Sequence, residues 1–178
     1  YEIMPSLVGS EMCIRDRNES LEWDGIEACI ENVVQKYQFP NVQLGLEITE
    51  QDALSSSIDI TKKIEALKAK GHRFLIDDFG MGHTSLVYLQ TKYFNIVKLD
   101  GSLTRDVIHN ETNRDIIASI VYLGRSLKFK IIAEYVENEA QRDELKKLGC
   151  DAFQGYLYSK PIKLDELMSW IKGSGHES

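Results

Sequence analysis

From residue 42 onward the sequence repeats one unit. A short apolar run ends on a charged or amide side chain, and a stretch long enough for a helix follows. The apolar runs are "VQLGLEIT" at 42–49, "RFLIDD" at 73–78, "FNIVKLD" at 94–100, "KFKIIAE" at 128–134 and "CDAFQG" at 150–155. Helical periodicity fills the intervals at about 58–70, 104–127 and 137–148, and recurs at 24–37 and 163–172. In the first of these, Ile26, Ile30, Val33, Val34 and Tyr37 form one apolar stripe. Strands alternating with helices of this length predict βαβ units, a parallel sheet and an α/β fold. No Pro-, Gly- or Ser-rich linker interrupts the pattern, and 178 residues suit one domain.

Every strand end carries a polar residue where a parallel sheet gathers its carboxyl termini. Glu47 ends the first, Asp77 and Asp78 the second, Lys98 and Asp100 the third, Glu134 the fourth and Gln154 the fifth. Side chains at these ends converge on one face of a barrel or sheet, where active sites sit. A carboxylate ending an apolar run is costly to bury unless it is paired, hydrogen-bonded or bound to a cation. Any one of these residues alone reads as a capped strand end; five units in succession point to a site.

Clustered Asp and Glu without His or Cys suit hard, oxygen-preferring cations, Mg²⁺ or Mn²⁺. Adjacent strand residues point to opposite sides, so Asp77 and Asp78 reach one centre only where the backbone turns. Asp77 would then bridge two ions and Asp78 hold the second. Two such ions about 3.5–4 Å apart activate water and neutralise charge at a phosphorus centre. Lys98 would orient that water or stabilise developing negative charge, and Glu134 is a candidate base or metal ligand.

Composition narrows the partners. With 43% hydrophobic residues the chain can build a core. A net charge of -7 argues against general binding to DNA, RNA or an anionic membrane through a basic surface. A nucleotide held through metal ions stays compatible with that charge. Cys13, Cys29 and Cys150 are far apart with no CxxC pair, and read as reduced thiols of a cytoplasmic protein. No apolar run approaches the roughly 18 residues of a membrane span. A parent protein tethered to a membrane through segments absent from this sequence is compatible with all of this.

Other features carry less. "GMGH" at 80–83 is neither a GxGxxG nor a P-loop pattern, and its glycines read as a turn. His72, His83, His109 and His176 show no ligand spacing. Asn110-Glu111-Thr112 is a glycosylation sequon by pattern only. Residues 1–17, "YEIMPSLVGSEMCIRDR", show no clear strand or helix period, and "SLVGSEMCIRDR" resembles a translated sequencing adapter. The segment is set aside as a non-native scar, and the credible chain begins near Asn18.

Taken together, "LEITE", "IDDFGMGHTSL", "VKLDGSL", "IIAEYVEN" and "GCDAFQGYLYSKP" resemble, in order and spacing, the signatures of the EAL family. These are metal-dependent cyclic-di-GMP phosphodiesterases with a TIM-type (β/α) barrel. The resemblance spans residues 18–178. It implies that Glu47 and Asp77 bind one metal and Asp77 and Asp78 the other. It further implies that Lys98 and Glu134 assist the attacking water, with Gln154 and Glu137 nearby. Glu50 resembles the residue that fixes the loop after the aspartates, which the family uses in substrate binding and dimer contact. The implied reaction opens one phosphodiester bond of cyclic-di-GMP to give linear pGpG. Implied partners are a second copy of the chain and sensor or diguanylate-cyclase-type domains in the parent protein.

Departures from the family pattern set further expectations. The Glu-Ala-Leu that names the family belongs on an early strand and is absent there; Glu65-Ala66-Leu67 lies mid-helix and reads as a decoy. The family's asparagine metal ligand, on the strand before "LEITE", is missing too. A whole barrel takes about 250 residues, so the barrel is expected to be incomplete, lacking roughly the first three strand–helix units. Met81, His83, Gly101 and Tyr135 also differ, Tyr135 standing where glycine usually follows the glutamate. The reading is a phosphodiesterase fragment with little or no activity. The alternative is a non-catalytic module that binds the dinucleotide or a partner protein. An enolase-type carboxylate barrel explains the strand ends but not "DDFG" together with "QGYLYSKP".

Overall fold

The computed structural model describes residues 3–4, 11–15, 28, 30–32, 35, 43–49, 58–80 and 93–161. Seven strands form one sheet in chain order: β1 (Ile3–Met4), β2 (Glu11–Arg15), β3 (Gln43–Thr49), β4 (Arg73–Phe79), β5 (Ile96–Leu99), β6 (Lys130–Ala133) and β7 (Ala152–Phe153). The β1–β2 pair is antiparallel and every other pair is parallel. The helices are α1 (Ile58–Ala69), α2 (Gly101–Thr104), α3 (Glu111–Leu127) and α4 (Glu139–Leu148). The α/β fold is a partial barrel.

The five strands expected from the sequence are β3 to β7. Two more come from residues 1–17, the segment set aside as non-native. Glu11–Arg15 pairs in parallel register with β3, from Glu11 opposite Gln43 to Arg15 opposite Glu47. A parallel strand edge offers unpaired backbone groups to any extended segment, whatever its side-chain period. Of the helix expected over 24–37, residues 28, 30–32 and 35 are helical and Ile30 is buried. The helix expected over 163–172, together with Glu50, Met81, His83 and His176, lies outside the described residues.

The helix expected over 104–127 begins only at Glu111, as α3, and the short α2 precedes it at Gly101–Thr104. Asn110 caps α3, its side chain accepting from the Asn113 N–H at 3.1 Å. Asp100 caps α2, accepting from the Ser102 N–H at 2.7 Å, so it serves the turn after β5. At α4, Asn138 and Gln141 form a reciprocal capping box, and Gly149 closes the far end at φ 102°. This is the Asn-x-x-Gln start and glycine stop that the backbone's unpaired end groups favour.

Strand alternation sorts side chains into two faces. Ile76, Val97, Leu99, Ile131 and Ala133 join Leu103, Val107, Ile117, Val121 and Leu145 in the core between sheet and helices. On the opposite face Leu75, Ile96 and Ile132 pack together with Ala152 against them. Two residues further along each of these four strands come Asp77, Lys98, Glu134 and Gln154, all buried. The apolar inner layer is therefore the floor beneath the polar one, the layered filling expected inside a (β/α) barrel.

Candidate active site

The aspartates share a centre because β4 breaks its ladder between them. Leu75 and Ile76 pair with Ile96 and Val97, but Phe79 pairs with Leu99, leaving one extra residue on β4. Asp78 takes up the irregularity at φ 55°. Aspartate tolerates this left-handed geometry better than most residues. The extra residue turns what would be opposite-facing neighbours toward one point. Carboxylate oxygens of Asp77, Asp78 and Glu134 lie within 4.8 Å of one another.

Lys98 ties the cluster together. Its Nζ lies 2.9 Å from Glu47 Oε1, 2.9 Å from Asp77 Oδ1 and 2.8 Å from Glu134 Oε1. Three carboxylates thus use the three donors of one ammonium. Burial alone would lower the Lys98 pKa, but Glu47, Glu134 and Asp77 offset it and hold the group well above its ordinary range. Glu134 is pushed up to about 7, chiefly by burial and further by Asp77 and Glu47, against the opposing pull of Lys98.

Backbone contacts fix Glu134 from both sides. Its N–H donates to Leu99 O at 3.2 Å, and the Thr104 hydroxyl donates to its carbonyl at 2.6 Å. Thr104 carried no sequence signal, since its role arises from α2 folding back under β6. Gln154 is buried at the same level, with its N–H donating to Ala133 O at 2.8 Å. Glu137 is exposed, and only its backbone is seen in a contact, donating to Gln141 Oε1 at 2.8 Å. The structure therefore brings Glu47, Asp77, Asp78, Lys98, Glu134 and Gln154 to one end of the barrel and leaves the Glu137 carboxylate in solvent. Glu65-Ala66-Leu67 sits inside α1, away from any strand end, and Leu67 is buried.

Four carboxylates against one ammonium leave excess negative charge at a largely buried point. Hard oxygen donors so placed fit a divalent cation of the Mg²⁺ or Mn²⁺ kind. Fold and site thus define a (β/α)-barrel protein with a carboxylate centre at the carboxyl ends of its strands.

Comparison places it further. The EAL domain family matches residues 13–161, and the chain belongs to that family. It is 36% identical over 143 residues to the cyclic di-GMP phosphodiesterase PdeF of Escherichia coli, covering 80% of this chain. It is 34% identical over 147 residues to the bifunctional diguanylate cyclase/cyclic di-GMP phosphodiesterase MucR of Pseudomonas aeruginosa, covering 83% of this chain. The chain spans 19% and 22% of the length of these two relatives. In structure it is similar to Klebsiella pneumoniae BlrP1 in a manganese and cyclic-di-GMP complex. The TM-score is 0.75 at 28% identity, over 84% of this chain and 38% of that one. Among the described residues, no helix is long and apolar enough to cross a membrane.

Proposed function

We propose that this chain is the core of a metal-dependent phosphodiesterase that opens cyclic-di-GMP to linear pGpG. The observation that carries the reading is the buried meeting of Glu47, Asp77 and Glu134 on Lys98, with Asp78 beside them. Glu47 and Asp77 would hold one divalent cation and Asp77 and Asp78 the second. When bound, such ions supply an activated water and neutralise charge at phosphorus.

The protein's own groups have distinct tasks in this reading. Lys98 is charged at all working pH values and held by three carboxylates, so it orients the attacking water and steadies negative charge at the phosphate. Glu134 titrates close to neutrality and so is suited to accept the water's proton. Gln154, buried one strand further on, lines the same end of the barrel. Glu137 lies in the loop before α4, and the family resemblance would give Glu50 the task of fixing the loop after the aspartates. That loop also serves the contact with a second copy of the chain.

The strand next to β3 is the position at which the family places its asparagine ligand, and β2 holds Glu11, Met12, Cys13, Ile14 and Arg15 there. We attribute this to a non-native segment standing in for the authentic strand, and expect the chain as it stands to turn over little or no substrate. The test is cyclic-di-GMP hydrolysis with Mg²⁺ or Mn²⁺, comparing this chain with one whose N-terminal strands are restored from source DNA. Turnover to pGpG in the restored protein, lost on Asp77→Ala, is the expected result. Binding without turnover in the restored protein would overturn the enzyme reading and leave a cyclic-di-GMP receptor.

A further inference from the structure

We propose that Tyr135, clamped over Gly101 with Arg105 against its ring, is a stacking platform for one purine base of the bound dinucleotide. The inference rests on the cyclic-dinucleotide reading above and adds a contact particular to this chain.

Tyr135 stands at φ 56°, a left-handed conformation that strains a bulky residue. Its neighbours leave it no alternative. Glu134 is held by Leu99 O and the Thr104 hydroxyl, and the Val136 N–H donates to Gln154 O at 3.0 Å. Strain maintained in this way, directly beside a site residue, marks a side chain whose direction is imposed.

The ring lands on α2. A Cβ added at Gly101 would lie 2.5 Å from Tyr135 Cδ2 and 2.8 Å from its Cγ, so only glycine at 101 leaves room for it. The Arg105 guanidinium carbon sits 4.2 Å from the ring centroid, a close cation–π contact. Gly101 and Tyr135 are two of the positions at which the chain departs from the family pattern, and the structure joins them into one feature. Tyr135 as a whole nevertheless keeps 43% of its accessibility. It lies between the carboxyl ends of β5 and β6, which carry Lys98 and Glu134.

A rigid, half-exposed aromatic face beside a phosphate-handling centre suits a nucleobase. Base–aromatic stacking is sequence-tolerant, and a ring already fixed in place forfeits little entropy on binding. Arg105 adds positive charge against the ring, which suits an anionic ligand.

The experiment is calorimetric binding of cyclic-di-GMP to the full chain in Ca²⁺, with Ca²⁺ alone titrated as a control. Tyr135→Gly removes the ring while relaxing the backbone, so the variant folds; Tyr135→Phe keeps the stacking face. The expected result is affinity about tenfold weaker in Tyr135→Gly, within about twofold of wild type in Tyr135→Phe, and unchanged for Ca²⁺ in both. Equal cyclic-di-GMP affinity in wild type and Tyr135→Gly would overturn the platform and leave the site reading intact. A wild-type chain that binds Ca²⁺ but no cyclic-di-GMP would overturn the platform and leave the phosphodiesterase reading to the restored protein.

Discussion

Glu134 shows how burial and charge set a single residue's behaviour. Its ordinary carboxyl pKa of 4.5 is raised to about 7 in the fold. The folded chain therefore holds a proton there that the unfolded chain has already released. The stability this group contributes is complete below about pH 4.5 and is lost as the pH rises through about 7, to the extent of about 3 kcal/mol. Urea unfolding from pH 4.5 to 8 in EDTA should show this slope, and Glu134→Gln should flatten it. An equal slope in the variant would place the proton elsewhere. Gly101 and Tyr135 make a second prediction at this scale. Gly101→Ala should destabilise by about 1–3 kcal/mol through overpacking against the ring, and Gly101→Ala combined with Tyr135→Gly should recover most of that loss. Additive effects in such a double-mutant cycle would contradict the contact. The sequence displayed both residues as oddities, but a Cβ-to-ring distance between positions 34 apart has no local signature.

Elements whose logic is local were legible in the chain. Strands β3 to β7 were visible as apolar runs, and α4 as a periodic stretch between Asn138 and Gly149, because caps and hydrophobic period act within a few residues. The capping box predicts its own measurement: Asn138→Ala should lose about 1 kcal/mol, with amide exchange accelerating first in the opening turn of α4. Exchange unchanged there would mean the box carries no load. What was missed was the break between α2 and α3, although Asn110 is a local N-cap signal for it. Residues 109–115, HNETNRD, carry no apolar side chain, and contacts close in sequence fix the interruption. Asn113 Nδ2 donates to Ser102 O and Leu103 O, and Arg114 to Val107 O and Ile108 O. The irregularity in β4 was not legible: the sequence showed two adjacent aspartates, whereas the extra residue that points both inward is a mismatch in length against β5.

For the molecule as a whole, parallel register makes the site a property of the sheet. Strands β4 to β7 each place a polar side chain two residues beyond the apolar floor, so the centre was readable from strand ends before any contact was known. The place of residues 11–15 was not readable, because pairing along an open edge depends on backbone more than on side-chain pattern. The central claim is that Glu47, Asp77, Asp78 and Glu134 form a divalent-cation centre restrained by Lys98. Manganese titration followed by calorimetry and electron paramagnetic resonance tests it most directly, on the wild-type chain and on Asp77→Asn at pH 8, above the Glu134 titration. The account predicts saturable Mn²⁺ binding in the wild type, weakened more than about tenfold in the variant, where a charged ligand becomes neutral. Equal Mn²⁺ affinity in both proteins, or none in either, would contradict it.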